Sequence, residues 1–184
     1  MLLANAAERT LDVQYYIWRA DMSGTRLLDA LRRAAARGMR VRMLLDDNST
    51  SGLDSTLAAF AALPNVQVRL FNPFASRDRR ALSFLGDFER LNRRMHNKSF
   101  TADNQATIVG GRNVGDEYFA GASELLYFDL DVLAIGPVVS GVSEDFDRYW
   151  NSASSYPAAS LLPPATRLSH TSKSARGVAA RRGP

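Results

Sequence analysis

Residues 94–113 read RMHNKSFTADNQATIVGGRN and carry the spacing H-x-K-x4-D-x6-G-G-x-N. The first part of this pattern places His96 two residues before Lys98 and seven residues before Asp103. The chain has only two histidines, and only two of its 23 basic residues are lysines, so one residue of each rare type lies in this stretch. Because the chain uses arginine almost everywhere else, a lysine here indicates a site that needs a compact ammonium group.

The residue types in this pattern suit chemistry on a phosphate. We expect His96 and Lys98 to project from one face of a β-strand, because alternate residues of a strand face the same way. An imidazole can attack phosphorus or carry a proton, and an ammonium can neutralise the non-bridging oxygens. Asn113 can add a neutral donor to the same oxygens, while Gly110 and Gly111 allow the backbone to approach a ligand closely.

Chance is a poor explanation of the full pattern. A histidine and a lysine two residues apart usually belong to a solvated strand face, and a Gly-Gly-x-Asn sequence is usually a turn. By ordinary residue usage, H-x-K-x4-D should occur in about one chain in a hundred of this length. The added G-G-x-N at fixed spacing lowers that frequency roughly a thousandfold further. The pattern therefore favours a functional site.

Length and composition predict one globular domain followed by a tail. The chain has 184 residues, 46% of them hydrophobic, which is enough to bury a core. It contains no cysteine, which excludes disulfides and thiolate metal sites. No apolar run approaches the ~20 residues of a membrane-spanning helix. We assign residues 1–163 to the domain and expect residues 164–184 to be a basic, disordered tail.

The basic charge of the chain comes from this tail. The net charge is +4, but the residues after Pro163 contain five cations and no acids. This leaves 18 cations against all 19 acids in residues 1–163, a net charge of −1. The predicted domain is therefore not basic, which argues against a nucleic-acid partner.

The order of predicted elements indicates an α/β fold with a mixed, mostly parallel sheet flanked by helices. Hydrophobic patterns and turn signals predict strands over 11–18, 41–45, 66–70, 95–102, 106–110 and 125–135. They predict helices over 25–37, 53–63 and 138–150, the first capped by Ser23, and one more helix ending near Arg94. Residues 1–9 resemble the last turns of a helix that begins upstream. From Ser152 onward we expect a linker or disordered chain.

The complete pattern resembles the signature of the phospholipase D superfamily, H-x-K-x4-D followed by G-[GS]-x-N. The similarity covers about residues 1–163 and is closest to the first half of bacterial cardiolipin synthases of the C type. It extends beyond the signature and is carried by residues 11–18, 42–47, 69–74, 93–98, 110–119, 129–132 and 146–151. The resemblance implies a bacterial phosphatidyltransferase that needs no metal or cofactor and is cytoplasmic or peripheral to the inner membrane.

The resemblance also implies how the motif residues work. His96 would attack phosphorus to form a phosphohistidine, while Lys98 and Asn113 would hold the phosphate oxygens. Asp103 would anchor the loop and the strand end rather than touch the substrate.

Members of this superfamily also orient the nucleophilic histidine through an acidic residue further along the chain. Asp129 is our choice, because it lies on a predicted strand near the Gly-x-Asn turn. Asp131 shares its strand face and Glu124 is close in sequence, so both stay open as alternatives. An ordinary polar strand face would also explain Asp129 and Asp131.

The chain departs from the superfamily pattern because it has no second motif. Superfamily members that act as monomers carry two motifs, and the second histidine protonates the leaving alcohol. His170 and Lys173 have the spacing H-x-x-K, and no Gly-x-Asn follows them. We therefore expect half of a two-motif enzyme, shortened at both ends, which acts on phospholipids and needs a second half-domain or a homodimer partner. The alternatives are a homodimeric phosphodiesterase or nuclease, and a catalytically inactive fragment.

Two further features allow a structural explanation beside a functional one. Asp46 and Asp47 follow a predicted strand, where α/β sheets place ligand sites, and paired acids can bind a metal. A structural or turn-capping role is favoured for them, because the superfamily needs no metal. Residues 77–94 contain six arginines with interspersed apolar residues. This pattern suits either an anionic membrane surface or a solvated helix packed on the sheet.

Overall fold

A computed structural model of the chain describes residues 1–74, 77, 91–119, 127 and 129–164. Its strands are β1 Thr10–Tyr15, β2 Arg40–Asp46, β3 Val66–Phe71, β4 Ser99–Ala102, β5 Ala106–Gly110, β6 Asp131–Ile135 and β7 Ser155–Pro157. Its α-helices are α1 Leu2–Ala6, α2 Met22–Ala36, α3 Asp54–Ala61 and α4 Val138–Trp150. Short 3-10 segments lie at Asp47–Ser49, Asp116–Tyr118 and Ala158–Ser160. None of the helices in these described ranges is long and apolar enough to span a bilayer.

The strands form one mixed sheet in the order β6-β5-β4-β1-β2-β3-β7. The α/β class is confirmed, but the expectation of a mostly parallel sheet was wrong. Only β1–β2 and β2–β3 are parallel, while the other four strand pairs are antiparallel. Helices α2 and α3 return the chain between the parallel strands, whereas a short turn joins β4 to β5. Asp103 and Asn104 in this turn both have φ of 55°, and such a tight connection joins antiparallel strands only.

Helix α2 covers one face of the sheet. Its apolar stripe is buried in the main core with residues of β1, β2 and β3, as the periodicity predicted. The cap differs from the prediction. Asp21, not Ser23, is the N-cap residue, and its side chain accepts the N–H of Gly24 at 2.9 Å. An aspartate is as good a cap as a serine, and Asp21 precedes the helix while Ser23 lies in its first turn.

Helix α4 covers the opposite face and is fixed there by Arg42. The guanidinium binds both carboxylate oxygens of Asp12, each at 2.7 Å, and also Asp147 of α4 at 2.7 Å. It lies 4.8 Å from the ring centroid of Phe146 and 5.5 Å from that of Trp150. The helix is therefore held to β1 and β2 by a bidentate ion pair together with cation–π contacts.

Several predicted boundaries shift. Residues 155–157, expected to be linker, pair with β3 as an edge strand, and the buried side chains of Ala158 and Leu162 follow them. A composition rich in Ser, Ala and Pro gave no sign of this strand, because it exists by pairing with the open edge of β3. The strand predicted from residue 95 begins at Ser99. The predicted helix ending near Arg94, part of the segment 125–135 and residues 165–184 lie outside the described residues.

The packing of this last described segment gives a test by substitution. Ala158 is 1% exposed, whereas the next residue, Ala159, is exposed. We expect Ala158→Asp to lower the free energy of unfolding by at least about 3 kcal/mol, because it buries an unpaired carboxylate. Ala159→Asp should change it by no more than about 0.5 kcal/mol. Urea denaturation measures both, and equal effects would mean that the segment does not pack as described.

Candidate active site at the end of the central strands

The motif histidine lies in an extended segment, residues 93–98, that leads into β4. The imidazole of His96 is exposed, whereas Lys98 is only 8% exposed. The Nζ atom of Lys98 lies 3.1 Å from Nδ1 of His96 and donates to the carbonyl oxygen of His96 at 2.7 Å. The two side chains are therefore together, as predicted, although the regular strand starts three residues later than His96.

The local charges favour a neutral imidazole. Partial desolvation of the ring, together with the positive charge of Lys98, lowers the pKa of His96. Burial lowers the pKa of the Lys98 ammonium, and the nearby negative charge of Asp129 offsets this only in part. A neutral imidazole keeps a lone pair at near-neutral pH, which is what a nucleophile requires.

Tyr16 also belongs to the site, and sequence analysis missed it. Its ring centroid lies 4.6 Å from that of His96, at an interplanar angle of 44°, and 5.7 Å from Nζ of Lys98. The sequence held one usable signal. Tyr16 directly follows the carboxyl end of a central parallel strand, where α/β sheets place ligand sites.

Asn113 joins the glycine turn to the segment that follows β1. It is 4% exposed, its Oδ1 accepts the N–H of Ile17 at 3.0 Å, and its Nδ2 donates to the hydroxyl of Tyr118 at 3.0 Å. Both ends of the amide are therefore bonded within the protein. The second N–H of Nδ2 is the group through which Asn113 could also reach a phosphate.

Gly110 and Gly111 leave room for protein carboxylates. A Cβ atom on Gly111 would collide with the carboxylate of Asp129, and one on Gly110 would collide with Asp131 and the carbonyl of Leu130. The N–H of Gly111 donates to the oxygen of Leu130 at 3.1 Å. In this structure, therefore, the groups that approach the two glycines closely are the carboxylates of Asp129 and Asp131. Phosphate binding by the two glycines stays a prediction.

The three candidate acids lie in different surroundings. Asp129 is exposed, precedes β6 instead of lying on a strand, and accepts the N–H of Leu130 at 2.8 Å. Asp131 accepts the N–H of Arg112 at 3.2 Å and lies 3.7 Å from its guanidinium. Glu124 is outside the described residues. Within the described part of the chain neither aspartate is hydrogen-bonded to His96, so the choice of orienting acid stays a prediction.

Asp103 lies at the opposite end of β4 from His96. Its carboxylate accepts the N–H groups of Glu8, Arg9 and Thr10 at 2.8, 2.7 and 2.8 Å. Burial acts to raise the pKa of Asp103, but these hydrogen bonds and the charge of Arg9 lower it overall. The carboxylate anchors the start of β1 to the β4–β5 turn.

Asp46 and Asp47 are both fully buried and bind groups of the protein. Asp46 accepts the N–H groups of Asn48 and Met95, each at 2.9 Å, and burial raises its pKa to about 6. Asp47 accepts the hydroxyl of Thr50 and pairs with Arg77. In the residues that the structure describes, no cluster of three or more His, Cys, Asp or Glu side chains could hold a metal.

The arginines of residues 77–94, for which the sequence left a membrane surface and a solvated helix as equal alternatives, lie only partly within the described residues. Arg77 pairs with Asp47 and Asp54, and Arg94 pairs with Asp46 at 3.2 Å, so both bind buried or half-buried carboxylates. Arg79, Arg80 and Arg90 lie outside the described residues.

An open cleft of about 640 Å³ runs past the site. It lies between α4 and the segment that carries His96, and its lining includes Gln14, His96, Lys98, Gly110, Val142, Asp145 and Arg148. The lining combines polar groups beside the imidazole with apolar groups from α4. A phosphodiester with an apolar substituent would meet suitable chemistry at both places.

The chain matches the family described as "Cardiolipin synthase, PLD-like domain" over residues 2–150. It belongs to this family. The domain is 59% identical over 160 residues, 87% of the chain, to cardiolipin synthase C of Escherichia coli (strain K12). It is 34% identical over 149 residues, 80% of the chain, to cardiolipin synthase of Oceanobacillus iheyensis. It covers 34% and 29% of the lengths of these relatives, so this PLD-like domain spans about a third of the curated proteins that it matches.

Solved structures show the same fold at low sequence identity. Phosphatidylserine synthase of Haemophilus influenzae Rd KW20 aligns with a TM-score of 0.64 and 16% identity, over 86% of this chain and 35% of that protein. NucT from Helicobacter pylori aligns with a TM-score of 0.62 and 15% identity, over 85% of this chain and 86% of that protein. Nuc from Salmonella typhimurium, a phospholipase D family member, gives 0.55 and 16%, over 85% and 88%.

The contact between His96 and Lys98 can be tested by titration. Lys98→Gln removes the positive charge that disfavours the imidazolium, so we expect the pKa of His96 to rise. The chain has two histidines, so proton NMR gives two ring titrations, and a His170→Asn variant identifies the signal of His96. Arg32→Gln, a surface change paired only with Asp29 in the described structure, is the control and should leave the pKa of His96 unchanged. An unchanged or lower pKa in Lys98→Gln would contradict the described contact.

Proposed function

We propose that this PLD-like domain supplies the nucleophilic half of an active site that transfers phosphatidyl groups between phospholipid alcohols. The observation that carries the proposal is the exposed imidazole of His96, held 3.1 Å from the buried ammonium of Lys98 at an open cleft. A nucleophile beside a fixed positive charge is what phosphoryl transfer requires. The 59% identity to cardiolipin synthase C supports a phospholipid substrate.

The proposed reaction has two displacements at phosphorus. Nε2 of His96 attacks the phosphodiester, a P–N bond forms, and the P–O bond to the first alcohol breaks. That alcohol leaves with a proton from a general acid. A second alcohol then gives its proton to the same group and attacks phosphorus, which breaks the P–N bond and frees His96. Lys98 neutralises the non-bridging oxygens throughout, and Asn113 donates a hydrogen bond to them.

The tautomer of His96 has to change before the attack. With the ammonium of Lys98 next to Nδ1, the ring proton of a neutral imidazole sits on Nε2, which then has no lone pair to attack with. We propose that the oxygens of a bound phosphate accept the hydrogen bonds of the Lys98 ammonium, which then no longer contacts Nδ1. The ring proton then moves to Nδ1 and is held by an acid, for which Asp129 is our candidate because its charge already acts on Lys98.

The chemistry is tested by substitution in the assembled enzyme. His96→Asn should abolish turnover of phosphatidylglycerol and of a generic phosphodiester, because an amide cannot form the covalent intermediate. Lys98→Arg should lower kcat by roughly 100-fold or more, because the larger guanidinium cannot replace the ammonium at the same place. His170→Asn is the matched control and should retain full activity. Turnover by His96→Asn, or loss of activity on adding a chelator, would reject the mechanism.

A second half-domain is part of the proposal, because one motif provides one histidine. The transfer needs a proton donor as well as a nucleophile. Among the described residues, large apolar side chains are exposed around β6: Leu130 74%, Leu133 65%, Ile135 74% and Val138 55%. β6 is an edge of the sheet, and Asp131 at its start pairs with Gly110. We propose that the second half docks on this edge, which lies beside the motif.

The homodimeric phosphodiesterase is the second candidate, and the alignment with NucT and Nuc supports it. This domain aligns with NucT over 86% and with Nuc over 88% of their own lengths. In a symmetric dimer two copies of His96 would meet across a two-fold axis and supply both catalytic groups.

The solution mass and the activity together separate these candidates. We expect the chain alone to be nearly inactive, and to gain turnover with the part of Escherichia coli cardiolipin synthase C to which it does not align. Leu133→Glu should weaken this complementation at least 10-fold, because a buried charge opposes docking. Leu2→Glu, at a leucine 86% exposed in α1, is the control and should have no effect. A defined homodimer that turns over substrate unaided would instead support the phosphodiesterase.

A further inference from the structure

Three polar side chains at neighbouring strand ends contact the segment that carries His96. They are Gln14 near the end of β1, Asp46 as the last residue of β2, and Asn72 directly after β3. These strands are adjacent and parallel, so their carboxyl ends lie at one edge of the sheet. All three side chains are buried, with exposures of 1%, 0% and 3%.

Two of the three contacts are strong hydrogen bonds to the backbone. Nδ2 of Asn72 donates to the carbonyl oxygen of Arg93 at 2.7 Å. Oδ2 of Asp46 accepts the N–H of Met95 at 2.9 Å. Both ends of the short stretch 93–95 are therefore bound by side chains from the sheet, directly before His96.

Three further contacts complete the arrangement. Nε2 of Gln14 donates to the sulfur of Met95 at 3.1 Å, and the side chain of Met95 is fully buried in a cluster that includes residues of α4. The guanidinium of Arg94 bonds to Oδ1 of Asp46 and to the carbonyl oxygen of Asn72, both at 3.2 Å. Each residue from 93 to 95 is thus held at its backbone or its side chain.

Burial makes these contacts costly to lose. A buried amide or carboxylate that loses its partner costs about 1–3 kcal/mol, and more when the group is charged. The same bonds keep residues 93–95 out of a strand, because the N–H of Met95 and the carbonyl of Arg93 are bonded to side chains. The orientation of the His96 side chain therefore depends on hydrogen bonds that Asp46 and Asn72 make to residues 93–95.

We propose that Gln14, Asp46 and Asn72 form a positioning clamp, which fixes residues 93–95 and so keeps the imidazole of His96 beside Lys98. Asp46 and Asn72 act through the backbone of residues 93–95, and Gln14 acts through the side chain of Met95. The proposal rests on the proposed function only in taking His96 as the nucleophile.

Asn72→Gly is the sharpest test, because the backbone of Asn72 has φ of 49°. Glycine adopts this left-handed conformation without strain, so the substitution removes the side-chain bond to Arg93 and leaves the local backbone allowed. Asn65→Gly is the matched control. Asn65 also has a positive φ, 64°, but its side chain is exposed in the turn before β3. Any effect of glycine on backbone flexibility should therefore be the same in the two variants.

The primary readout is the pKa of His96 by proton NMR in the chain alone. We expect Asn72→Gly to raise this pKa towards about 6.5, the ordinary value for histidine, because the ring leaves Lys98 and enters solvent. The rate at which diethyl pyrocarbonate modifies His96, measured by mass spectrometry, should change as well. Asn65→Gly should leave both unchanged. If Asn72→Gly lowers the free energy of unfolding but leaves both readouts unchanged, the side chain is merely structural and the clamp is rejected.

Asp46→Asn provides a second variant with its own control. It should also raise the pKa of His96, while Asp47→Asn removes a buried carboxylate one residue further on and should not. In the assembled enzyme, Asn72→Gly should lower kcat by about 10- to 100-fold with KM unchanged, as expected for a displaced nucleophile. If Asn72→Gly raises the pKa of His96 but the assembled wild-type protein shows no turnover, the clamp is supported and the proposed function is rejected. An unchanged pKa with wild-type kcat would reject the clamp alone.

Discussion

The antiparallel register between β1 and β4 determines at which end of the sheet His96 and Asp103 lie. Gln14 pairs with Ser99 at one end of this ladder, and Leu11 pairs with Ala102 at the other. The first end brings the residues after β1, including Tyr16, next to the segment that carries His96. The second end brings Asp103 to the start of β1. The β1–β4 pair thus places His96 and Asp103 at opposite ends of the sheet. His96 lies at the end with the candidate active site, and Asp103 lies at the end where it anchors the start of β1.

Sequence patterns predicted the features that depend on local chemistry. The helix over 138–150 has the predicted bounds, and the spacing of His96 and Lys98 correctly predicted their proximity. The direction of the outer strands could not be predicted in the same way, because it depends on pairing between segments far apart in sequence. The same holds for Tyr16 and for the contact of Gly111 with Asp129. The strand predicted from residue 95 begins only at Ser99, and the N–H of Met95 is bonded to the side chain of Asp46 instead of a neighbouring strand.

The unequal use of arginine and lysine also has a structural basis. Arg42, Arg77 and Arg94 each bind buried or half-buried aspartates inside the fold, where a planar fork of donors is an advantage. Lys98 instead places a compact charge against an imidazole. These three arginines are therefore committed to internal ion pairs, and their charge is not available to a binding partner.

The carboxylate of Asp103 also bears on the order in which the chain can fold. It binds N–H groups at positions 8 to 10, more than 90 residues earlier, so these three hydrogen bonds cannot form until Asp103 has been synthesised. The parallel β1-β2-β3 unit has its helical connections within the first 71 residues and can form sooner. Contacts of such long sequence separation slow folding, because the entropy of closing the loop is lost before the contact forms. During translation, therefore, the parallel unit should form first, and the antiparallel strands β4 to β7 should be added later at its two sides.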